Sequence, residues 1–304
     1  MIEMILGIAA VLILVILLLI FRIHSLVSIM RGSYLKTAGM SNKVNAFLLL
    51  AVFILGLIGF VWITIHSSQY HLPEAASEHG RKTDMMFWIT MAILCFAFIV
   101  TNIFLFVFSY KYQYEEGRKA YFYPENHKLE VIWTVIPAIV MAILVFYGWK
   151  EWSEITRQAP GDSEVIEVMG KQFAWQVRYP GADKKLGTYN YKQIDAFNEF
   201  GIDVSDSACY DDFVPKELHM PKGKNVLLRI RARDVLHSVY MPHFRVKMDA
   251  VPGMPTKFHF KPLKSTREMR DELGNPEFNY ELACAEICGT GHYAMRFIIV
   301  VDEP

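Results

Sequence analysis

The membrane part of the fold is decided by the stretch from Met86 to Tyr110, which reads MFWITMAILCFAFIVTNIFLFVFSY and contains no charged residue. An α-helix needs about 20 apolar residues to cross the hydrocarbon core of a bilayer, and this stretch exceeds that length. A helix buried in a soluble core is the alternative, but uncharged runs of this length are rare in soluble folds. The sequence therefore predicts a transmembrane helix.

Three further stretches have the same character and predict three more transmembrane helices, approximately Met4 to Phe21, Ala46 to Ile65 and Val131 to Trp149. The first could instead be a cleaved signal peptide. Its leading residues, Met1 to Met4, carry no positive charge, however, and no small-residue cleavage site follows. We therefore expect a retained helix.

The composition agrees with a membrane protein that also has a soluble domain. Of the 304 residues, 53% are hydrophobic and 20% are charged, and the mean hydropathy is +0.23. The chain has 31 Lys+Arg and 31 Asp+Glu, so its net charge gives no reason to expect a nucleic-acid partner. Membrane lipid is the partner that the composition predicts.

The loops between the predicted helices differ in positive charge. The loop between the second and third helices carries only Arg81 and Lys82, whereas the other two loops carry Arg22, Arg31, Lys36 and Lys43, and Lys111, Arg118, Lys119 and Lys128. Positively charged loops stay in the cytoplasm. The sequence therefore predicts a multi-pass protein of the cell inner membrane, with everything after Trp149 on the periplasmic side.

From Glu151 onwards, short apolar runs alternate with Gly, Pro and Asp. Four of these runs predict β-strands, namely Val165 to Val168, Asn225 to Ile230, Lys257 to Phe260 and Phe297 to Val301. Short strands separated by turn residues are typical of a small β-sandwich or barrel. The segment from Gly181 to Lys216, rich in Asp, Tyr and Asn, predicts a long insertion or surface loop.

Near the C-terminus, the segment CAEICGTGHYAM (Cys284 to Met295) places two thiols, an imidazole and a thioether close together. Sulfur and imidazole ligands select copper or zinc, and a weak Met ligand beside Cys and His favours copper. His237, soon after the predicted strand Asn225 to Ile230, is the expected second imidazole. A disulfide or a Cys2His2 zinc site are the alternatives. Cys95 is expected to be a core residue, Cys209 has no evident partner, and His259 is given no role beyond that of a strand residue that could face solvent.

Three separated segments resemble subunit II of haem-copper cytochrome c oxidases, and the resemblance extends from about Asp84 to the C-terminus. They are Leu129 to Pro137 (LEVIWTVIP), Asp234 to Ser238 (DVLHS) with Lys247 to Gly253 (KMDAVPG), and the cysteine segment. The resemblance implies transmembrane α-helices followed by an all-β, cupredoxin-like Greek-key sandwich. We expect residues 1–70 to form an additional helix pair, 71–152 the helix pair typical of the family, and 153–304 the sandwich.

The resemblance also implies a dinuclear copper centre, CuA. Cys284 and Cys288 would bridge the two coppers, and His237 and His292 would each bind one. Met295 would be a weak ligand to one copper, and the carbonyl of Glu286 would be a ligand to the other.

Two carboxylates have further roles that the resemblance implies. The side chain of Glu286 would bind Mg2+ or Mn2+ at the border with subunit I, which suits a hard oxygen ligand. The alternative for Glu286 is a solvated loop acid. Glu130 would lie at the mouth of a proton path into subunit I; the alternative is an acid in a first helical turn that merely favours the helix dipole.

The chain departs from the family at one aromatic position. The family has two Trp residues separated by one residue, and the first receives the electron from cytochrome c; here the positions hold Phe173 and Trp175. We expect an altered donor contact at Phe173. Trp175 is expected to be a core aromatic or part of the electron path.

The expected function is electron transfer within a terminal oxidase of the respiratory chain. The chain would take electrons from cytochrome c, or from a haem subunit of an associated quinol-oxidising complex, and pass them to haem in subunit I, which also holds copper. There oxygen would be reduced to water with proton pumping, in a complex with other oxidase subunits. A quinol oxidase subunit II and a membrane-anchored metal-binding module are the alternatives.

Overall fold

The computed structural model describes residues 2–31, 34–115 and 117–303. Its four long helices are α1 (Ile2–Met30), α2 (Tyr34–His66), α3 (Glu78–Lys111) and α4 (His127–Thr156). All four are long and apolar enough to cross a membrane, which confirms the predicted number of spans. Each helix extends beyond its apolar stretch, because the polar residues at its ends also have adequate helix propensity.

The chain divides into two compact units, Met1–Tyr70 with Ile93–His127, and His71–Ala92 with Lys128–Pro304. In the first unit, Phe53 of α2 stacks on Phe106 of α3, with ring centroids 4.5 Å apart. Most apolar side chains described on these helices point outwards. A helix that is apolar on all sides yet unburied is typical of a membrane span.

The second unit contains an all-β domain of two sheets. Its strands are β1 (Glu164–Lys171), β2 (Ala174–Arg178), β3 (Leu218–Pro221), β4 (Val226–Ala232), β5 (His237–Met241), β6 (Val246–Ala250), β7 (Thr256–Phe260), β8 (Tyr280–Cys284) and β9 (Arg296–Asp302), with a short helix α5 (Thr266–Leu273) before β8. The sheet orders are β2-β1-β4-β7 and β3-β9-β8-β5-β6. Transmembrane helices followed by a cupredoxin-like β-sandwich are the predicted fold class, which is confirmed.

The core of the sandwich follows from side-chain alternation along the strands. In β4, Val226, Leu228 and Ile230 are buried, while Arg229 between them is exposed. The buried set belongs to one apolar cluster that includes Val239 of β5. Strands of both sheets therefore contribute to a single core.

The four predicted strands correspond to β1, β4, β7 and β9. The remaining strands are only four or five residues long. They also contain polar residues, such as His237 and Ser238 in β5. Such strands are formed by pairing with their neighbours rather than by an apolar pattern of their own.

The segment Gly181 to Lys216 contains two 3-10 helices, Tyr191–Gln193 and Ser207–Cys209, and none of the named strands. We call it the insertion. Cys209 is buried within it, and its Sγ lies 3.2 Å from the carbonyl oxygen of Asp203 and 3.5 Å from that of Thr188. The thiol therefore has partners that the sequence did not suggest.

His259 was given no role from the sequence; it lies on a strand, as suggested, and is only partly exposed to solvent. Its ring is half-buried in β7, and Nδ1 lies 3.0 Å from the carbonyl oxygen of Ile155 near the end of α4. Burial lowers the pKa of His259, and the positive charges of Arg157 and Lys257 lower it further. A neutral imidazole therefore joins α4 to the sandwich.

A second connection joins α3 to the sandwich. Arg245 lies between β5 and β6, and its guanidinium donates to both carboxylate oxygens of Asp84, at 2.7 and 2.8 Å. The same side chain donates to the carbonyl oxygens of Pro73 and Pro242, both at 2.5 Å. A bidentate ion pair of this kind fixes both distance and orientation.

Candidate metal centre

The predicted imidazole segment and the predicted thiol segment meet where two neighbouring inner strands of the five-stranded sheet end. His237 is the first residue of β5 and Cys284 is the last residue of β8. These strands are antiparallel neighbours, with Val239 opposite Cys284. The chain after Cys284 forms a loop that returns to β9 and carries Cys288, His292 and Met295. Sheet pairing therefore brings together residues that are far apart in sequence.

The side chains converge at distances that suit a metal between them. Cys284 Sγ lies 3.9 Å from Cys288 Sγ and 3.9 Å from His237 Nδ1. Cys288 Sγ lies 3.6 Å from His292 Nδ1 and 3.4 Å from Met295 Sδ. The ligand atoms of His237, Cys284 and Cys288 all lie within 4.8 Å of one another. Each thiol thus faces one imidazole, and the two thiols face each other.

A backbone oxygen completes the group. The carbonyl oxygen of Glu286 lies 3.2 Å from Cys284 Sγ, while the Glu286 side chain is exposed. Its carbonyl and its carboxylate are therefore available to different partners. The roles expected for Glu286 from the sequence need this separation, because its carbonyl and its carboxylate would bind different metals.

Three members of the donor set are shielded from water, while Cys284 and His292 are partly exposed. His237, Cys288 and Met295 are 0%, 5% and 1% exposed, respectively. Burial, with a contribution from the neighbouring Cys284, raises the pKa of the Cys288 thiol to about 11. A metal ion would displace the proton outright, because coordinated thiols are deprotonated. The cysteines are unlinked, so the disulfide alternative is not the arrangement found.

Asp234 orients the His237 ring. Its Oδ1 lies 2.8 Å from His237 Nε2, which places the ring proton on Nε2 and leaves Nδ1 directed at Cys284. Burial opposes ionisation of Asp234, but hydrogen bonds from Gln172, His237 and Val235 outweigh burial and hold its pKa below the ordinary value. A carboxylate behind a ligating histidine fixes the tautomer and ring orientation.

Gln172 joins the two halves of the donor set. Its backbone N–H donates to Asp234 Oδ2 at 2.7 Å, and its side-chain amide donates to the carbonyl oxygen of Cys288 at 2.6 Å. The sequence analysis did not identify Asp234 or Gln172 as functional residues. An acid three positions before His237 was the available signal for Asp234; the sequence contains no comparable signal for Gln172.

Glycines make room for aromatic rings at this site. A Cβ added to Gly170 of β1 would lie 2.9 Å from the His237 ring and 3.0 Å from the Trp175 ring. A Cβ on Gly289 would lie 2.8 Å from the Phe173 ring, and one on Gly291 would lie 2.5 Å from it. Phe173 therefore packs directly on the backbone of the loop between β8 and β9, which we call the ligand loop.

The predicted aromatic pair has a clear division of exposure. Phe173, between β1 and β2, is 37% exposed, whereas Trp175 is buried and meets the His237 ring edge-on, with centroids 5.9 Å apart. Trp175 Nε1 has no hydrogen-bond partner among the described residues. Glu130 is not part of this group; it lies half-buried in the first turn of α4.

Comparison with known proteins identifies similar chains. The family described as cytochrome c oxidase subunit II, transmembrane domain, matches residues 64–150, and the family described as cytochrome c oxidase subunit II, periplasmic domain, matches residues 164–302. The alternative cytochrome c oxidase subunit 2 of Bradyrhizobium diazoefficiens is 34% identical over 256 residues, which cover 83% of this chain and 86% of that protein.

Two further relatives differ in how much of the chain they cover. The cytochrome c oxidase subunit 2 of Thermostichus vulcanus is 31% identical over 273 residues, covering 82% of this chain and 79% of that protein. The crystal structure of the periplasmic domain of subunit II of cytochrome oxidase of Bradyrhizobium japonicum is 24% identical, with a TM-score of 0.32. It covers 48% of this chain and 88% of that one.

Proposed function

Because the chain belongs to the cytochrome c oxidase subunit II family, we propose that its β-sandwich holds the dinuclear copper centre CuA and relays electrons in a terminal oxidase. One observation carries the proposal: two thiols 3.9 Å apart each face a different histidine, and a thioether lies 3.4 Å from one of them. In this assignment Cys284 and Cys288 would hold both metals. The ligands that would each hold one metal are His237, His292, Met295 and the carbonyl of Glu286.

The chemistry of this donor set favours copper over zinc. Zinc in a structural site takes four ligands in a closed tetrahedron. The donors that converge here number six, two thiols, two imidazoles, a thioether and a carbonyl oxygen. When bound, the copper pair supplies reversible one-electron transfer. The protein contributes two negative thiolates, a largely dry surrounding and a rigid ligand loop. Asp234 and Gln172 hold that loop and His237 in place.

Electrons reach the centre through the surface that surrounds the ligand loop. Ile287 and Tyr293, each next to a ligand, are both 83% exposed, and Leu236 beside His237 is exposed as well. Phe173 lies on Gly289 and Gly291 of the same loop. This apolar patch suits brief contact with a haem protein, because it allows close approach without a network of charges.

Phe173 is the proposed point of electron acceptance on this patch, and Trp175 lies behind it against His237. Donor oxidation by Phe173→Ala and Phe173→Trp variants tests this assignment. Unchanged turnover in both would place the electron path elsewhere.

The proposed electron donor is cytochrome c or a haem subunit of a quinol-oxidising complex, and the acceptor is haem in subunit I. Subunit I would carry out the reduction of oxygen to water with proton pumping. Glu286 would contribute a carboxylate to Mg2+ or Mn2+ at that border, so Glu286→Gln should remove a bound-manganese resonance from the complex. Glu130 would feed protons to subunit I, so Glu130→Gln should lower proton pumping.

We also propose the location and domain limits given by the sequence: an inner-membrane protein with an additional helix pair in residues 1–70, a second pair in 71–152 and a periplasmic sandwich in 153–304. The positive loops support this orientation. A cysteine introduced at Lys119 should react with a membrane-impermeant thiol reagent only after cells are opened, and one at Lys184 should react in intact cells.

The copper assignment is tested in the full-length chain. The wild type, loaded with copper, should give an electron paramagnetic resonance signal from one unpaired electron shared by two copper nuclei. Cys284→Ser and Cys288→Ser should abolish the shared signal and donor oxidation together, while Cys209→Ser, at a buried thiol outside the site, should retain both. A single-copper signal, or zinc alone, in the wild type would favour the metal-binding module instead.

A further inference from the structure

The outer face of the four-stranded sheet is unusually rich in positive charge. Side-chain alternation places one acid, Glu167 of β1, among cations of β1, β2, β4 and β7 and of the residue after β4: Lys171, Arg178, Arg229, Arg231, Arg233 and Lys257. The insertion lies over this face. Acids of the insertion pair with some of these cations, and only the unpaired cations are available to bind a ligand.

Two of the cations are deeply buried and form ion pairs with acids. Arg178 Nε and Arg231 Nε each lie 2.6 Å from one oxygen of Glu167. Asp212 of the insertion lies 3.2 Å from Arg178, and the Tyr189 ring covers the Arg231 guanidinium at 3.6 Å. These groups compensate one another.

Two more cations are engaged by a single acid of the insertion. Glu199 Oε1 lies 2.5 Å from Lys171 Nζ and 3.1 Å from Arg233 Nη1. Gln176 donates to the other oxygen of the same carboxylate. The insertion therefore occupies both cations at the end of the sheet nearest the candidate metal centre, and Glu199 offsets part of their charge.

Arg229 and Lys257 remain without compensation. They lie directly opposite each other in the pairing of β4 with β7. Glu167 is opposite Arg229 on the other side, but both of its oxygens already bind Arg178 and Arg231. Within the described parts of the chain, no ion pair or hydrogen bond joins either side chain to another residue. Like charges directly opposite on neighbouring strands destabilise a sheet.

The two uncompensated cations line a cleft between the insertion and the sheet. Its volume is about 530 Å3, and Leu186, Tyr189 and Pro255 supply apolar walls beside the charged groups. Clefts of roughly 300–1,000 Å3 are typical of small-ligand sites. Cationic side chains and an apolar wall are thus combined in a space of suitable size.

We propose that this cleft binds a small phosphate-type anion through Arg229 and Lys257. Arg229 would donate two parallel hydrogen bonds to the anion, and Lys257 would add a compact positive charge. The anion is either a soluble phosphate or the phosphate of a lipid headgroup, and the two sources share this chemistry. The inference is independent of the copper centre, because none of the candidate copper ligands lines the cleft.

The repulsion between the two cations makes the proposal sharply testable. Without anion, Arg229→Gln or Lys257→Gln should leave the thermal unfolding temperature unchanged or higher, because a like-charge contact disappears. With anion, the wild type should gain stability and the variants should not. A purely structural role for either residue would give the opposite result, namely a less stable variant at all anion concentrations.

The experiment titrates sodium pyrophosphate into the purified full-length chain in detergent, by calorimetry and by thermal unfolding, at constant ionic strength. We expect each single variant to weaken binding about tenfold, and the double variant about a hundredfold, as each loses a charge-assisted hydrogen bond. Lys247→Gln, at an exposed strand lysine of the other sheet, is the matched control and should bind as the wild type does.

A second arm places the chain in lipid nanodiscs of phosphatidylcholine with or without phosphatidylglycerol. A lipid headgroup is identified as the occupant if the wild type binds pyrophosphate more weakly in the anionic discs than in the neutral discs, and if the double variant shows no such difference. Equal binding in both discs identifies a soluble phosphate. Absence of pyrophosphate binding by the wild type in every arm, or equal binding by the double variant, would overturn the proposal.

Discussion

At the scale of single residues, the geometry of His237 depends on a carboxylate that does not itself face the thiols. Asp234 Oδ1 lies 2.8 Å from His237 Nε2, and Asp234 Oδ2 accepts from the Gln172 backbone. One carboxylate thus fixes the histidine ring and the β1–β2 turn at the same time. Loss of its charge weakens both contacts, and weakens the electrostatic support for a metal-bound imidazole.

Asp234→Asn should lower the copper affinity of the chain by about 10- to 100-fold, the range expected for partners of metal-ligating histidines. The amide can still approach His237, but it can also present its NH2 group to the ring and thereby destabilise the required tautomer. Competition with a copper chelator of known affinity measures the change. Asp249→Asn, at an exposed acid of β6, is the control; equal affinities of the two variants would contradict the assigned role.

At the scale of structural elements, charged contacts join the insertion to the sandwich beside apolar packing such as the stacking of Phe213 on Tyr179. Glu199 bonds Lys171 and Arg233, and these two residues immediately precede Gln172 and Asp234. Lys171 and Arg233, which bind the insertion, are therefore adjacent in sequence to Gln172 and Asp234, which contact Cys288 of the ligand loop and His237, respectively. Loss of the Glu199 contacts should therefore also disturb the contacts of Gln172 and Asp234, through the backbone of the turn after β1.

The Glu199 contacts predict a specific dependence on pH. The hydrogen bond from Lys171 holds the pKa of Glu199 below its usual value of 4.5. Its ionised form therefore stabilises the fold; this contribution is complete above the unfolded-state value and is lost as pH falls through the lower, folded-state pKa. Glu199→Gln should remove it at neutral pH, at a cost of about 1–3 kcal/mol.

Hydrogen exchange of residues 195–203 measures this effect. At pH 7 the Glu199→Gln variant should exchange these amides faster than the wild type, and the difference should disappear below the folded-state pKa. Glu277→Gln, an exposed acid outside the insertion, should show no such change. Unaltered exchange in Glu199→Gln would mean that the insertion is held by other contacts.

The sequence predicted those elements whose pattern is local. Four apolar stretches predicted four membrane helices, and β1, β4, β7 and β9 followed from continuous apolar or alternating runs. β5 and β8 could not be predicted in this way, since their residues are strand-like only when paired with each other. The contact of His259 with Ile155 was missed for the same reason: it joins residues 104 positions apart.

The candidate site shows the same limit of local pattern. The sulfur and imidazole donors were evident from residue type and spacing, and their convergence agrees with the expected ligand set. The supporting residues were not evident, because a glutamine and a glycine acquire their roles only from position. Gln172 donates a hydrogen bond to the Cys288 carbonyl, and Gly170, which has no side chain, leaves space for the His237 ring.

At the scale of the whole molecule, the second unit includes the outer end of α3 as well as the sandwich. Arg245 bonds Asp84 of α3 in a bidentate pair, and His259 contacts Ile155 of α4. Two side-chain contacts therefore tie the sandwich to the parts of α3 and α4 that belong to the same unit. The proposed electron relay would be served by such a rigid domain.

Asp84→Asn should loosen this attachment without altering the metal ligands. The loss of a charge-assisted bidentate contact should destabilise the second unit by about 2–3 kcal/mol. Thermal unfolding and limited proteolysis near residues 157–163 should both show the change, while the copper signal stays as in the wild type. Glu78→Gln, one turn and a half earlier on α3, should be neutral; a matching loss of stability there would indicate a general charge effect.

The separation of the metal ligands along the chain also determines when the domain can acquire its metal. Cys284 and Cys288 are four residues apart, but His237 lies 47 residues before Cys284 and reaches it only through the pairing of β5 with β8. Closing a connection of that length is a late and slow event in the folding of a β protein. The complete donor set therefore exists only in a folded sandwich. If the proposed copper assignment and orientation hold, loading with the metal follows both translocation and folding of this domain.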